Sequence, residues 1–284
     1  MGPKFGKPRV IIEDSPRAGK APRPPKTQSP IRPIAPKGAN ELLYYGFHAV
    51  RALFKARRDE IIRAYCVEER LGDMGDLLKW CSKNKKAYHV VTKEDLEKIT
   101  GSVHHEGVAL LAQRRATLNE KDLYERLKTK KQPLIVLDEV LNPHNIGSIM
   151  RIMAHFGWSY LVCDEKHAVP LSASTARMSE GGSEYVDLCY YKNTPDFLRN
   201  LKSLGYELIG TSTHGRKSLY ALDLKSKAQA FFLGNEVRGL NKDLMKALDT
   251  TVAIPSIGEV QSLNVATACA LMIGECVRQQ GVKS

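Results

Sequence analysis

The chain has 284 residues, 43% of them hydrophobic, and carries a formal net charge of +12 at pH 7. That length accommodates two domains with a sizeable core, and the lack of any apolar run long enough for a membrane helix or a signal core predicts a soluble, cytoplasmic protein. Six scattered cysteines (Cys66, Cys81, Cys163, Cys189, Cys269 and Cys276) contain no CxxC, so they are expected to be reduced packing residues rather than disulfide partners or zinc ligands.

Residues 1–37 hold nine of the 14 prolines and nine lysines and arginines against Glu13 and Asp14. So little apolar material predicts a disordered basic arm, suited to a polyanion partner. "NELLYYGFHAVRALFKA" (40–56) then has the periodicity of an amphipathic helix. "IIRAYCVEE" (61–69) predicts a strand, "MGDLLKWCSKNKK" (74–86) a helix and "AYHVV" (87–91) a strand. In "TKEDLEKITG" (92–101), Thr92 stands three residues before Asp95 and Gly101 closes the segment, the pattern of a capped helix. "GVALLAQ" (107–113) completes a small α/β unit over 38–115. The polar stretch that follows (116–131) is expected to be a linker with a helix in it.

From 132 to 284 strand and helix signals alternate. Strands are expected at 133–140, 160–164, 185–191, 206–213, 230–234 and 251–255, and helices at 146–157, 195–204, 240–249 and 262–280. Such alternation predicts an α/β fold with a parallel sheet covered on both faces and a ligand at the carboxyl ends of its strands.

Three polar turns occupy such ends. In "LNPHNIGSIMR" (141–151) Asn145 is placed to cap a helix, Gly147 to admit a neighbouring backbone, and Arg151 to lie on the helix. In "FFLGNEVRGL" (231–240) an apolar strand runs into Gly234, Asn235 and Glu236. In "IPSIGEVQSLNVATACA" (254–270) Ser262 is a candidate N-cap and Asn264 follows it. A GxGxxG turn is missing, which argues against a nicotinamide-dependent oxidoreductase. "HHE" (104–106), read as part of a strand, would point its side chains to opposite faces, so no metal site is expected.

Taken in order, "NIGSIMR", "LGNEVRGL" and "IPSIGEVQSLNVATA" resemble the three signature motifs of the SpoU (TrmH) family of RNA 2′-O-ribose methyltransferases. "RMSEGGSEYV" (177–186) is similar to the serine-glycine segment between the first two motifs, and "YYGFHAV…HHEGVALLA" (44–112) resembles the family's L30e-like RNA-binding domain. The resemblance spans about 38–284 and implies a C-terminal α/β trefoil-knot domain that works as a homodimer on tRNA or rRNA. It implies S-adenosylmethionine held around Thr211, Ser212, Leu233, Gly234, Glu236, Ile254, Ser262 and Leu263. It implies a catalytic set of Asn145, Arg151, Glu236 and Asn264. RNA contacts are expected from Arg151, Arg114, Arg115 and the arm residues Lys4, Arg9, Arg23 and Lys26. Departures include Asn142 where Asp is frequent before the proline, Val237 after the motif-two glutamate, Gly182 in the serine-glycine segment and Ala266 after "SLNV".

These residue types suit methyl transfer to an alcohol. The hydroxyl must lose its proton as the new bond forms, and a nearby cation lowers the cost of the developing negative oxygen. The resemblance implies that Arg151 accepts the proton. A guanidinium holds its own proton with a pKa above about 12, which favours an electrostatic role on the 2′-oxygen or a neighbouring phosphate. A non-catalytic RNA-binding or assembly factor with the same fold is the other class consistent with the sequence.

Overall fold

A computed structural model of the chain describes Gly38 and residues 40–215, 217–260 and 262–281. The basic arm lies outside the described residues, and so do the expectations of disorder and RNA contact placed on it.

The first layer is a four-stranded sheet with helices. Its elements are β1 (Glu41–Tyr45), α1 (Phe47–Arg57), β2 (Ile61–Cys66), α2 (Gly75–Lys83), β3 (Ala87–Val90), α3 (Lys93–Thr100) and β4 (Val108–Gln113). The strand order is β1-β4-β2-β3, with only β2 and β3 parallel. The helix expected over 40–56 is corrected in its first half. Gly46 at φ 91° breaks the chain, and the four apolar residues before it (Leu42, Leu43, Tyr44 and Tyr45) are all buried in a strand. A side chain on every successive position buries two faces, which suits a covered strand. Thr92 caps α3 by accepting from the Asp95 amide at 3.1 Å, and Gly101 ends it in the left-handed region.

The segment expected to be a linker with a helix in it does carry a helix, and that helix is packed. Asn119 caps α4 (Glu120–Thr129), whose Leu123 and Leu127 are wholly buried in the core of the larger sheet. That sheet is built from β5 (Leu134–Leu137), β6 (Tyr160–Asp164), β7 (Asp187–Tyr191), β8 (Tyr206–Thr211), β9 (Lys217–Ser218), β10 (Ala228–Leu233) and β11 (Thr250–Ala253). The helices α5 (Pro143–His155), α6 (Ala173–Met178), α7 (Thr194–Ser203), α8 (Lys242–Ala247) and α9 (Val265–Gln280) accompany it. The order is β7-β6-β5-β10-β8-β11-β9, and every pairing is parallel.

Alternate residues of the central strands feed two cores. Ile135, Leu137, Ile209, Phe231 and Leu233 face the side covered by α5 and α9, while Leu134, Val136, Leu208, Ala230 and Phe232 face that of α4 and α7. Burying Phe231 and Phe232 completely contributes about 2 kcal/mol each. The first core continues into Tyr44 of the smaller sheet and Val50 and Leu53 of α1. All six cysteines are buried and unbridged.

The end of α9 packs against the connection between β8 and β10. After β8 the backbone crosses β11: the Ser212 amide donates to the Val252 carbonyl at 3.0 Å, and a Cβ on Gly215 would lie 2.2 Å from the Val252 backbone. The same loop then meets α9, where Gln279 and Gln280 donate to the carbonyls of Leu222 and Leu224. The end of the last helix is thus bonded to the connection between β8 and β10. Among the described residues no helix is long and apolar enough to cross a membrane.

Candidate active site

Because β10, β8 and β11 are neighbours and parallel, the turns after them converge at one edge of the sheet, beside the turn after β5. Each turn is fixed by its own chemistry. Asn142, not Asn145, caps α5 by accepting from the His144 amide, and Pro143 occupies the first helical position. Proline is favoured there, since its absent N–H would go unpaired anyway. Asn264, not Ser262, caps α9, accepting from the amides of Ala266 and Thr267. The caps stand three residues before Asn145 and two residues after Ser262.

The displaced cap frees Asn145 for another purpose. It sits buried in the first turn of α5, with its Nδ2 donating to Glu236 Oε1 and its Oδ1 accepting from Asn264 Nδ2 at 2.9 Å. One amide therefore ties the turns after β5, β10 and β11 together. Glu236 thus meets the first turn of α5, where unpaired amides favour negative charge.

The loop carrying Glu236 is anchored by two acids that the sequence reading missed. Buried Asp138 accepts from the Asn241 amide at 2.7 Å, and burial pushes its carboxyl above the ordinary aspartate range, against the pull of that hydrogen bond. Asn235 Nδ2 donates to the Glu139 carbonyl at 3.0 Å, and Arg238 pairs with the Glu139 carboxylate at 2.9 Å. An acidic pair at the end of an all-apolar strand was the available signal. Gly234 is required by close approach, because a Cβ there would meet the Leu240 amide nitrogen at 2.2 Å.

The remaining expected cofactor residues line the same edge. Thr211 Oγ1 donates to the Phe232 carbonyl at 3.0 Å, and Ser212 Oγ accepts from the His214 amide. Leu233 is buried, whereas Ser262 and Leu263 are exposed on the loop that follows Ile254. Ile257, Val260 and Leu263 of that loop point large apolar side chains into solvent.

Arg151 is not joined to the Asn145 cluster. Six residues further along α5 it stands about 9 Å up the helix axis and on another face. Its guanidinium pairs with Glu180 at 2.9 Å and remains largely exposed. Arg115 has its guanidinium occupied by the carbonyls of Ser183 and Val186 and by the Asp187 carboxylate, and Arg114 donates to the Leu171 carbonyl. Both arginines join the two sheets. The "HHE" stretch is a turn rather than a strand: His105 Nδ1 accepts from the Gly107 amide, and Glu106 pairs with Arg177. Among the described residues no group of three or more His, Cys, Asp or Glu is placed to hold a metal ion.

A seven-stranded parallel sheet with three loops tied together at the carboxyl ends of its strands defines an α/β fold with one composite loop site. Residues 132–274 match the SpoU rRNA methylase family, and residues 43–117 match the RNA 2′-O ribose methyltransferase substrate-binding family. The chain belongs to the SpoU family. Among its relatives is the uncharacterized tRNA/rRNA methyltransferase YfiF of Escherichia coli O157:H7, 32% identical over 241 residues, covering 85% of this chain and 69% of that protein. Another is the 23S rRNA (guanosine-2′-O-)-methyltransferase RlmB of Shewanella oneidensis, 30% identical over 240 residues and covering 84% and 97% of the two chains. The fold is shared with the SpoU methyltransferase AviRb of Streptomyces viridochromogenes, solved with AdoMet, at a TM-score of 0.70 and 21% identity over 85% of this chain and 91% of that one.

Proposed function

We propose that this protein transfers a methyl group from S-adenosylmethionine to a ribose 2′-hydroxyl of structured RNA, transfer or ribosomal. The observation that carries the proposal is the single buried amide of Asn145 bonded to both Glu236 and Asn264, which makes three loops one rigid site. Family membership and the substrate-binding match support the RNA side of the reading. Residues 38–115 serve as the RNA-binding unit and 132–284 as the methyltransferase unit, with 116–131 joining them and the arm 1–37 adding charge.

The residues fit the methyl donor. Backbone at the ends of β8, β10 and β11, with Thr211, Ser212, Leu233, Gly234, Ile254, Ser262 and Leu263, would hold it at the edge where these turns converge. When bound, the donor supplies an electrophilic methyl on a cationic sulfur. Glu236 complements that charge and, held by Asn145, cannot swing away. Asn264 fixes the start of α9 and so the end of the loop that would help hold the donor. Arg151 meets the RNA from α5, where its guanidinium steadies negative charge on the 2′-oxygen or an adjacent phosphate. The 2′-proton then leaves through phosphate or water. The exposed apolar loop of Ile257, Val260 and Leu263 supports a homodimer, since such side chains mark interaction surfaces. A cytoplasmic location belongs to the same proposal, in keeping with a transfer or ribosomal RNA substrate.

Calorimetry with S-adenosylmethionine, paired with methyl transfer to cellular RNA, tests the reading. The wild type is expected to bind the donor and methylate RNA, and Arg151→Ala to bind it equally and transfer nothing. A wild type that ignores the donor would leave only a silent RNA-binding factor, and full transfer by the variant would remove Arg151 from its role.

A further inference from the structure

Beside Arg151 lies a cleft of about 520 Å³ that the three motifs do not account for. One wall is α1, which presents His48, Arg51 and Lys55 along a single face at helical spacing, with Arg58, the residue just after the helix, continuing it. The other wall is the turn 180–185, with Glu180 and the half-exposed ring of Tyr185.

Two consecutive glycines hold the walls together. A Cβ on Gly181 would lie 2.4 Å from Ala52 Cβ and 3.1 Å from the His48 carbonyl, both on α1. A Cβ on Gly182 would lie 2.7 Å from the Met150 carbonyl and 2.9 Å from Arg151 Cα, both on α5. The turn is therefore wedged between the helix of the small sheet and the helix that carries Arg151. Glu180, at φ 45°, reaches out of it to the Arg151 guanidinium.

The charges in the cleft are unevenly matched. Arg51 pairs with Asp76 and Glu180 with Arg151, whereas Lys55 and Arg58 are exposed and make no ion pair among the described residues. Two free cations beside an exposed aromatic ring form the combination that holds single-stranded nucleic acid, with phosphates on the cations and a base on the ring.

We infer that this cleft is where an unpaired RNA segment is held, its phosphates on Lys55 and Arg58 and one base stacked on Tyr185, with the neighbouring nucleotide delivered toward Arg151. The inference rests on the methyltransferase reading and adds the substrate class: RNA presented with an unpaired base, not continuous duplex. An acidic protein segment is the competing occupant, but it offers no use for a flat aromatic platform at the end of a cationic track.

The test measures binding of a labelled RNA hairpin with an unpaired uridine loop, a fully paired RNA of the same length, and polyglutamate, across a salt series. The full-length protein is used, and donor binding is followed in parallel by calorimetry. The wild type is expected to prefer the looped hairpin. Lys55→Ala/Arg58→Ala should lower the slope of log K against log salt by about 1.4, two single-strand phosphate contacts at about 0.7 each. Tyr185→Ala should weaken looped RNA about tenfold, while Tyr185→Phe retains it, the expected effect of one lost stacking contact. Donor binding stays at the wild-type level in all three variants, and Lys130→Ala/Lys131→Ala, with the same charge change, leaves the slope intact. Unchanged affinity and slope in the cleft variants, or a loss that is equal for polyglutamate, would overturn the cleft assignment while wild-type donor binding keeps the parent reading standing. Wild-type protein that binds neither RNA nor donor would overturn both.

Discussion

Replacing Asn145 by Asp preserves size and the oxygen that accepts from Asn264, yet removes the amide donor received by Glu236. Two carboxylates then face each other across a hydrogen-bond distance. With charge centres about 4 Å apart the repulsion is about 1 kcal/mol in water and about 4 kcal/mol at a dielectric of about 20. Asn145 is buried at 9% exposure but Glu236 is exposed, so solvent screening keeps the value near the lower end. Adding about 1 kcal/mol for the lost hydrogen bond gives about 2–3 kcal/mol, or roughly 30- to 150-fold in affinity. Calorimetry with S-adenosylmethionine at neutral pH should read that loss for Asn145→Asp. Acidification through the carboxylate range, near about 4, protonates the introduced group and restores a donor toward Glu236, so the loss should shrink. Wild-type affinity at neutral pH, or a loss indifferent to acid, would refute the idea that Asn145 ties the three loops into the donor site.

Gly234→Ala drives a Cβ to within 2.2 Å of the Leu240 amide nitrogen. A strain of about 2 kcal/mol should lower the thermal midpoint by about 4–8 °C, while Gly258→Ala, with open space around it, should leave the melt unchanged. Arg57→Ala strips the cation from Glu184, whose side chain is 1% exposed and pairs with Arg57 at 2.6 Å. Urea denaturation should show a loss of about 3 kcal/mol, against less than about 1 kcal/mol for Arg51→Ala at its exposed pair with Asp76. Arg278 first, then Gln279, hold the Glu275 carboxyl down at about 2. A depressed carboxyl stabilises the fold above its unfolded value of about 4.3 and loses that contribution as pH falls toward about 2. Glu275→Gln should therefore flatten the acid limb of urea midpoints measured over that interval, and an unaltered limb would contradict it.

The elements that sequence rendered well are those whose signals are local. Thr92 and Gly101 bound α3 as their capping chemistry requires, and Gly147 is where α6 closes on α5, with the Thr175 carbonyl 2.7 Å from a notional Cβ. The strand-and-helix alternation after residue 132 translated into a wholly parallel sheet. The failures were also physical. β1 and α1 are apolar in succession, so a helical period ran through both until Gly46 was seen to turn the chain. Asn145 and Ser262 were chosen as caps because they stood near the apolar helix, whereas Pro143 moved one start upstream and Asn264 moved the other downstream. The site is the sharper lesson. All three polar turns were visible, but Asn145 meets partners 91 and 119 residues away. Such contacts follow from β10 and β11 flanking β8, an order that no local pattern encodes. Glu180 stayed hidden for the same reason, since only the packing of Gly181 and Gly182 brings it to Arg151.

The most direct test of methyl transfer is nucleoside mass spectrometry of cellular tRNA and rRNA incubated with the protein and isotope-labelled S-adenosylmethionine. The account predicts label on the ribose of a single type of nucleoside with wild-type protein, and none with Arg151→Ala. Label on a base, or RNA left unlabelled by a wild type that binds the donor, would contradict it.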